Sequence, residues 1–367
     1  MKKLLAFVLA LVMVLSLTAC GASAPAATQP AATQPAAAPE AAPEAAPEAK
    51  ELTLADVWPD GSTVNVDVPA KAGGGTDLFT RILTQALSET YPNINFIVTN
   101  YDTAEVGNEH AKNAAPDGLT LTIGACTTMD NYLSGMSNVN PNEDYVVVGK
   151  MNDGGPNAII ARPDAPYKNF EELGAYIAAH PGEVIVGCAL GGGSQLILRS
   201  IIDSLGEGYG DMVTYVQCGA EADKLTQTAS GSIDIANCSI PNAVSYEADG
   251  KLTILGTIGP RIATLETMSD LVGIELPQTF LATHEQGIDF SWDAGYYIVA
   301  PAGTSDEICE VINAAIMEAS KQPSFDAGMR KMASFPNVPD LATCRADWAK
   351  EWAFQVELMT AMGLNIR

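Results

Sequence analysis

The stretch Ala-Gly-Gly-Gly-Thr-Asp-Leu-Phe-Thr-Arg at residues 72–81 occurs again, in modified form, as Leu-Gly-Gly-Gly-Ser-Gln-Leu-Ile-Leu-Arg at residues 190–199. Each residue of the first copy is separated from its counterpart in the second copy by the same number of residues. Each copy follows an apolar run that predicts a β-strand, at 64–69 and 184–189, and precedes a predicted helix, at about 76–89 and 194–205. The repeat therefore predicts two similar strand–loop–helix units about one domain-length apart.

A glycine loop that leads into a helix is suited to bind an anion. Glycine lets the backbone approach a ligand closely, and a helix N-terminus presents unpaired N–H groups and a partial positive charge. Thr76 and Ser194 are predicted N-cap residues, with hydroxyls that can bond the helix or the ligand. The alternative is two ordinary units that use glycine only for tight packing. Two copies favour a paired anion site, with the two loops facing each other across a cleft.

The two loops lack the marks of nucleotide sites. Neither has the dinucleotide pattern G-x-G-x-x-G, and neither is followed by the Gly-Lys-Ser/Thr of a phosphate loop. Gly193-Ser194-Gln195 also lacks the second glycine of a nucleophile elbow. We therefore predict no catalytic residue and no cofactor.

Elsewhere, predicted strands and helices alternate along the chain. Strands are predicted at 95–99, 119–125, 146–151, 158–162, 213–217, 233–238, 253–258 and 296–300, and helices at 108–115, 170–179, 305–321 and 343–362. This alternation favours an α/β fold with parallel sheets.

The first 50 residues have the composition of an export segment and a tether. Lys2 and Lys3 precede an apolar run at 4–15, and Leu17-Thr18-Ala19-Cys20 follows it. This pattern predicts a lipoprotein signal peptide at 1–20 with Cys20 acylated; the alternative is an ordinary signal peptide with a chance cysteine. Residues 21–50 are Ala/Pro/Glu-rich and have no apolar face to bury, so they predict a disordered tether rather than a partner-binding segment.

Composition excludes several classes of partner. The net charge of −25 argues against nucleic acid and anionic lipid headgroups as ligands, so an anionic ligand must be held by local dipoles. Cys126, Cys188, Cys218, Cys238, Cys309 and Cys344 form no Cys-x-x-Cys pair, and the 3 histidines are far apart, so no metal site is predicted. Disulfides can form in an exported chain. Cys188, Cys218 and Cys238, however, each lie at the end of an apolar run, which favours small buried core residues.

Four ordered segments resemble the receptors of tripartite tricarboxylate transporters, also called Bug-type binding proteins. They are Ala-Gly-Gly-Gly-Thr-Asp at 72–77, Ala-Ala-Pro-Asp-Gly-Leu-Thr-Leu at 114–121, Gly-Ser-Ile-Asp at 231–234 and Ala-Pro-Ala-Gly-Thr at 300–304. The resemblance covers nearly all of 58–367. It implies a two-lobed periplasmic-binding-protein-like α/β fold with a hinge, and an interlobe cleft where loop amides, hydroxyls and water hold a carboxylate. It also implies that the C-terminal segment returns to the first lobe.

The resemblance also implies the ligand-binding residues. They are Gly73, Gly74, Gly75, Thr76 and Asp77 in the first loop; Cys126, Thr127 and Thr128 after a strand; Gly192, Gly193, Ser194 and Gln195 in the second loop; and Asp234, Asn237 and Ser239 around another strand. The chain departs from the family at residues 100–103, at Gln195 and at 216–219, which leaves the ligand class open.

Several of these residues have a structural alternative. Asp77 fits an early-helix acid as well as a ligand-binding residue. Arg81 and Arg199 are expected on the surface or in ion pairs. Trp292, Tyr296 and Tyr297 either flank the cleft or, as we favour, pack in the core or between the lobes.

Together these features predict an extracytoplasmic, lipid-anchored, monomeric binding protein. It captures a small organic carboxylate, such as a di- or tricarboxylate, for membrane transporter subunits. An amino-acid or aromatic-acid receptor or sensor is the main alternative, ahead of a surface enzyme or a structural lipoprotein. We predict lobe 1 at 51–156 plus 290–367 and lobe 2 at 157–289. The ligand's identity and the disulfide state stay open.

Overall fold

The computed structural model describes residues 52–293 and 295–367. The predicted signal peptide, Cys20 and the tether lie outside these residues. Ten strands and twelve α-helices alternate along the described chain. No described helix combines the length and the apolarity that a membrane crossing requires.

The elements follow in chain order. They are α1 (Leu54–Val57), β1 (Thr63–Val68), α2 (Gly75–Thr90), β2 (Asn95–Asn100), α3 (Ala104–Lys112), β3 (Thr120–Gly124), α4 (Cys126–Leu133), β4 (Tyr145–Lys150), β5 (Asn157–Ala161), α5 (Phe170–Ala179), β6 (Ile185–Cys188), α6 (Gly193–Leu205), β7 (Thr214–Gln217), α7 (Glu221–Ala229), β8 (Ile235–Ser239), α8 (Ile240–Ala248), β9 (Thr253–Ile258), α9 (Leu265–Val272), β10 (Tyr297–Pro301), α10 (Asp306–Ala319), α11 (Pro323–Lys331) and α12 (Leu341–Ala361).

Two five-stranded sheets share one topology. The first has the order β2-β1-β3-β10-β4 and the second has the order β7-β6-β8-β5-β9. The central strands β1 and β6 each pair in parallel with two neighbours. The chain has the α/β, two-lobed fold that was predicted. The predicted parallel pairing is present but does not extend through either sheet, because β10 and β5 each run antiparallel to both neighbours.

These antiparallel strands are the ones that follow a crossing between sheets. β5 is the first strand after the chain leaves the first sheet, and β10 is the first after it returns. Each therefore enters its sheet from the side of the other lobe. The two crossing segments also bond each other: the Met151 N–H donates to the Tyr296 carbonyl at 3.0 Å, and the Tyr296 N–H donates to Asn152 Oδ1 at 2.8 Å.

Separate hydrophobic cores lie against the sheets. Helices α2, α10 and α11 cover the first sheet, with Leu83, Ile312 and Phe325 almost fully buried. Helices α5 and α6 cover one face of the second sheet, with Phe170 and Ile201 buried there. Apolar burial of this kind is the main favourable contribution to folding.

The last helix, α12, packs mainly on α4, β4 and α10 of the first sheet's half of the chain. The first half of α12 packs Cys344 and Trp348 against Tyr297 in the first lobe. Its second half packs against α4, and Met359 and Val356 belong to a cluster that includes Leu133 of α4 and residues of the second sheet. Trp352 packs against two hydrophobic clusters, so α12 lies near the boundary between the lobes.

Candidate functional site

The two glycine loops have nearly the same geometry. Gly73 has φ +85° and Gly191 has φ +77°, a left-handed conformation that favours glycine. Gly74 and Gly192 have extended conformations and are the N-cap residues of α2 and α6. Each helix begins at the next glycine. The prediction that Thr76 and Ser194 are the N-caps was wrong, because each helix begins earlier and each hydroxyl residue is the second helical residue.

A side chain four residues after the left-handed glycine closes each loop. Asp77 Oδ2 accepts a hydrogen bond from the Gly73 N–H at 2.8 Å, and Gln195 Oε1 accepts one from the Gly191 N–H at 2.7 Å. Asp77 and Gln195 therefore perform the same structural task at matched positions. Their side-chain oxygens face the loop backbone, and we leave both out of the direct ligand contacts proposed below.

Asp77 is held by a network of donors. Asn100 Nδ2 donates to it at 2.9 Å, and Arg81 forms an ion pair at 2.9 Å. Burial raises the pKa of Asp77, but the bonds from Arg81, the Gly73 N–H and Asn100 outweigh burial and hold that pKa below its usual value. Arg199 pairs with Asp203 and Asp211 on the other unit. Of the two expected environments, surface or ion pair, both arginines have an ion pair.

Replacing Asp77 should loosen the first loop. Asp77→Asn is expected to lower the free energy of unfolding by about 1–3 kcal/mol near pH 6, because bonds to a charged acceptor are lost. The folded-state pKa is depressed, so this stabilisation is present above the unfolded pKa of about 3.9 and is lost as pH falls through the folded pKa. Urea unfolding from pH 6 to pH 3 measures it. A stability difference between variant and wild type that does not shrink at acid pH would contradict this account. Asp326→Asn, at an exposed side chain of α11, is the control.

Helix α4 lies between the two loops. A Cβ built on Gly75, at the start of α2, would lie 3.3 Å from Tyr296 Oη, and the Thr76 side chain lies beside the same phenol. The Cys126 thiol is an electrostatic neighbour of that phenol. One turn along α4, Asp130 Oδ2 lies 3.5 Å from a Cβ built on Gly193. Residues four apart share a helix face and are separated by about 6 Å of rise. Tyr296, Cys126 and Asp130 therefore connect one loop to the other.

The remaining residues predicted after β3 lie at the start of α4. Thr127 is exposed, whereas Thr128 is buried and its hydroxyl accepts a bond from the Ala125 N–H at 3.4 Å. Ser194 likewise uses its oxygen locally, accepting from the Ala189 N–H at 2.8 Å, which leaves its hydroxyl proton available. Both glycine loops are accessible to solvent. Among the predicted aromatic residues, Trp292 approaches Gly193 and Tyr296 approaches Gly75, while Tyr297 packs on Trp348.

The residues predicted around β8 do not lie together. Asp234 precedes the strand, accepts from the Ile185 N–H at 2.8 Å and pairs with Arg162 at 3.1 Å. It therefore lies at the start of β6, whereas the second loop follows the end of β6, roughly 10 Å away at ~3.3 Å per residue. Because it lies at the opposite end of the sheet, we leave Asp234 out of the proposed site.

Asn237 and Ser239 lie at the loop end of β8 but bond to protein groups. Lys224 Nζ donates to Asn237 Oδ1 at 2.7 Å, and the Ser239 hydroxyl donates to Glu221 at 2.6 Å. Burial lowers the pKa of Lys224. Asn237 and Ser239, with their partners Lys224 and Glu221, therefore form hydrogen-bonded pairs at the end of the sheet where the second loop lies.

Sequence reasoning missed two buried acids. Asp130 and Glu351 are 0% and 8% exposed, and burial raises the pKa of each to about 8. Helix α4 itself was not predicted, because a Thr-rich segment hides its pattern. The signal in the sequence was the four-residue spacing of Cys126 and Asp130, which places both on one face of a helix. All six thiols in the described chain are unpaired, and five are buried, which agrees with core cysteines.

A cavity of about 480 Å³ lies beside the crossing segments. It is lined by residues of those segments and of α12, including Asp153, Asp293, Tyr297, Asp347 and Glu351. Neither glycine loop contributes to its lining. Glu351 thus lies between this cavity and Asp130, with which it interacts electrostatically.

Comparisons with solved structures identify proteins of the same fold. A structure of the periplasmic binding protein BugD matches with a TM-score of 0.64 and 19% identity, over 83% of this chain and 98% of that chain. MatC from Rhodopseudomonas palustris with bound malate matches with a TM-score of 0.63 and 22% identity, over 81% and 98%. An R. palustris protein with adipate matches with a TM-score of 0.65 and 21% identity, over 82% and 97%.

Comparisons of sequence identify the family. A UPF0065 protein from Agrobacterium vitis is 27% identical over 295 residues, which are 78% of this chain and 80% of that protein. BugT from Bordetella pertussis is 25% identical over 313 residues, 82% of this chain and 89% of that protein. The family model described as tripartite tricarboxylate transporter family receptor matches residues 80–341. The chain therefore belongs to the tripartite tricarboxylate transporter receptor family.

Proposed function

We propose that this receptor captures a small organic carboxylate between its two glycine loops and delivers it to the membrane subunits of a tripartite tricarboxylate-type transporter. The matched geometry of the loops is the observation that carries the proposal. Each loop has a left-handed glycine, an extended N-cap glycine and a closing side chain, and each ends at a helix N-terminus. Two such N-termini supply the dipoles that an anion needs on a chain of net charge −25.

The family supports a binding role rather than catalysis. Its members are solute-binding receptors outside the cytoplasm, so the chain is a receptor and not an enzyme. Two relatives of the same fold are named with malate and adipate, both dicarboxylates. These names favour a small carboxylate here. Our proposed contacts are the N–H groups of Gly75, Thr76, Gly193 and Ser194 and the hydroxyls of Thr76 and Ser194, with Thr127 at the cleft edge. The N–H groups of Gly74 and Gly192 donate instead to the Lys71 and Ala189 carbonyls.

We further propose that lobe 1 comprises 51–156 plus 290–367 and lobe 2 comprises 157–289, hinged at the crossing segments. The division of the two sheets supports these bounds. A lipid on Cys20, with residues 21–50 as tether, would keep the receptor beside its transporter on the outer face of the membrane. The Leu-Thr-Ala-Cys pattern supports this anchor.

A thermal-shift panel tests the carboxylate proposal. Mono-, di- and tricarboxylates, with and without amino or hydroxyl groups, are added to the receptor at increasing concentration. We expect at least one to stabilise it, because a ligand at 100 times its Kd contributes about 2.7 kcal/mol. Matched amides and alcohols without a carboxylate are the controls, and they are expected to have no effect. If no carboxylate stabilises the chain, or if the amides act equally well, the proposed function is wrong.

A further inference from the structure

Asp130 is a buried carboxylate without a partner. It is 0% exposed, and neither of its side-chain oxygens has a hydrogen-bond partner among the described residues. A buried, unpaired carboxylate is costly, since its charge loses water and gains no donor in return. When such a group lies at the edge of a binding site, we expect the ligand to supply the hydrogen-bond donors that it lacks.

Among the residues that the structure describes, the surroundings of Asp130 are rich in acceptors and contain no cation that balances its charge. Cys126 on its own helix, Glu351 on α12 and Gly193 at the start of α6 are its neighbours. Oε1 atoms of Glu351 and Gln355 also lack partners in the described part of the chain. The nearby lysine, Lys150, is already paired with Asp153 and Asp347. A ligand that satisfies Asp130 must therefore bring donors, and preferably a positive charge.

The position of Asp130 limits where that charge sits on the ligand. Its Oδ2 lies 3.5 Å from where a Cβ on Gly193 would be, beside the N–H groups that end the second loop. A carboxylate bound by those N–H groups and an ammonium bound by Asp130 would lie within a few ångströms of each other. An α-amino acid carries its two charged groups at this separation. An amine at the far end of a long chain does not.

We propose that Asp130 accepts the ammonium group of the ligand, and that this receptor selects amino acids over carboxylates that lack an amine. The proposal rests on the proposed function, because it assumes that the second loop holds a carboxylate. Trp292, whose ring reaches 3.9 Å from the Gly193 Cβ position, offers an aromatic surface beside the same point. Cations are attracted to such surfaces.

The raised pKa of Asp130 adds a measurable consequence. Burial holds this pKa near 8, so much of the carboxyl is protonated at pH 7. An ammonium would favour the ionised form, and Asp130 would release a proton when the ligand binds. Glu351 and Cys126 are the other titratable groups that face it, and Lys150 acts on Glu351. Calorimetry in buffers of different ionisation enthalpy counts the protons released.

The experiment compares matched ligands on two variants of the full chain. The probes are succinate, malate and aspartate; glutarate and glutamate; and 3-phenylpropionate and phenylalanine. We expect an amino acid to bind at least tenfold more tightly than its amine-free partner. Asp130→Asn, which keeps the shape and removes the charge, should weaken that amino acid about tenfold to a hundredfold, because a bond to a charged group contributes about 1.5–3 kcal/mol. It should also abolish proton release. Asp326→Asn should change neither.

The outcomes separate the inference from the function on which it rests. Tighter binding of an amine-free acid, or an Asp130→Asn variant that binds the amino acid as well as wild type does, overturns the inference and leaves the carboxylate receptor intact. Should no carboxylate of either kind bind, the proposed function fails together with the inference. If Asp130→Asn does not fold, the preference of the wild-type chain between matched acids still decides the question.

Discussion

Gly193→Val is expected to lower ligand affinity more than a hundredfold. Gly193 is the first residue of α6, and its Cβ position lies 3.5 Å from Asp130 and 3.9 Å from Trp292. The Cβ itself fits at ordinary contact distance, so the two added methyl groups extend into the space where the ligand's carboxylate would approach the loop. Isothermal titration calorimetry with the acid found in the panel measures the loss.

The reason for this effect is steric occupation of the site and not backbone strain. Gly193 has a helical conformation, whereas the left-handed residue of the second loop is Gly191. Valine at 193 therefore meets no positive φ. We expect Gly193→Val to change the free energy of unfolding by no more than about 1 kcal/mol, because the helix tolerates a β-branched residue at a small cost.

Two further variants make the Gly193 test decisive. Gly193→Ala should give an intermediate loss, because it adds one methyl group at the same point. Gly219→Ala adds a methyl group on an exposed segment near the second loop, with its nearest contacts at 3.4 Å and 3.7 Å, and should keep wild-type affinity. Wild-type affinity in Gly193→Val, with the protein folded by urea titration, would show that the ligand does not approach this helix N-terminus.

Cys20→Ala is expected to move nearly all of the receptor out of the membrane fraction. The Leu17-Thr18-Ala19-Cys20 pattern predicts that Cys20 carries the lipid. Each buried CH₂ of an acyl chain contributes about 0.8 kcal/mol, and two or more chains give stable anchoring. Without acylation the membrane attachment should be lost. Cell fractionation and labelling with a radioactive fatty acid measure the change.

The anchor test has a matched control in the same segment. Ser23→Ala lies just beyond the four-residue pattern and should leave both labelling and fractionation unchanged. Finding the wild-type chain unlabelled and released, as Cys20→Ala is expected to be, would show that the segment is an ordinary signal peptide. Ligand binding should be equal in both forms, because the proposed site lies entirely within the described residues.

The sequence determined the local units of this protein. Three glycines after an apolar run, with a leucine and an arginine at fixed spacing, specify a strand, a tight turn and a helix start, and both copies fold in this way. These features depend on backbone conformation and on periodicity over a few residues, which short stretches of sequence encode directly. The family pattern then fixed the two-lobed fold, because it depends on the order of such units along the chain.

Only the tertiary structure decided what the side chains of the site contact. Asp77 and Gln195 bond back to Gly73 and Gly191, so two polar residues expected at the ligand close the loops instead. Asp234 lies at the far end of its sheet because the parallel pairing of β6 and β8 sets its position. Tyr296, on the returning segment, reaches the first loop across more than 200 residues of chain.

Asp130 shows the physical reason for this division. In sequence it is one acid among the 44 Asp and Glu residues of the chain. Its burial, its missing donors and its approach to Gly193 arise only when α4 of one lobe meets α6 of the other. Backbone propensities act between near neighbours, whereas the environment of a charge is set by every group within several ångströms, whatever its position in the chain. The glycine loops were therefore readable from the sequence, and the group we assign to ligand selection was not.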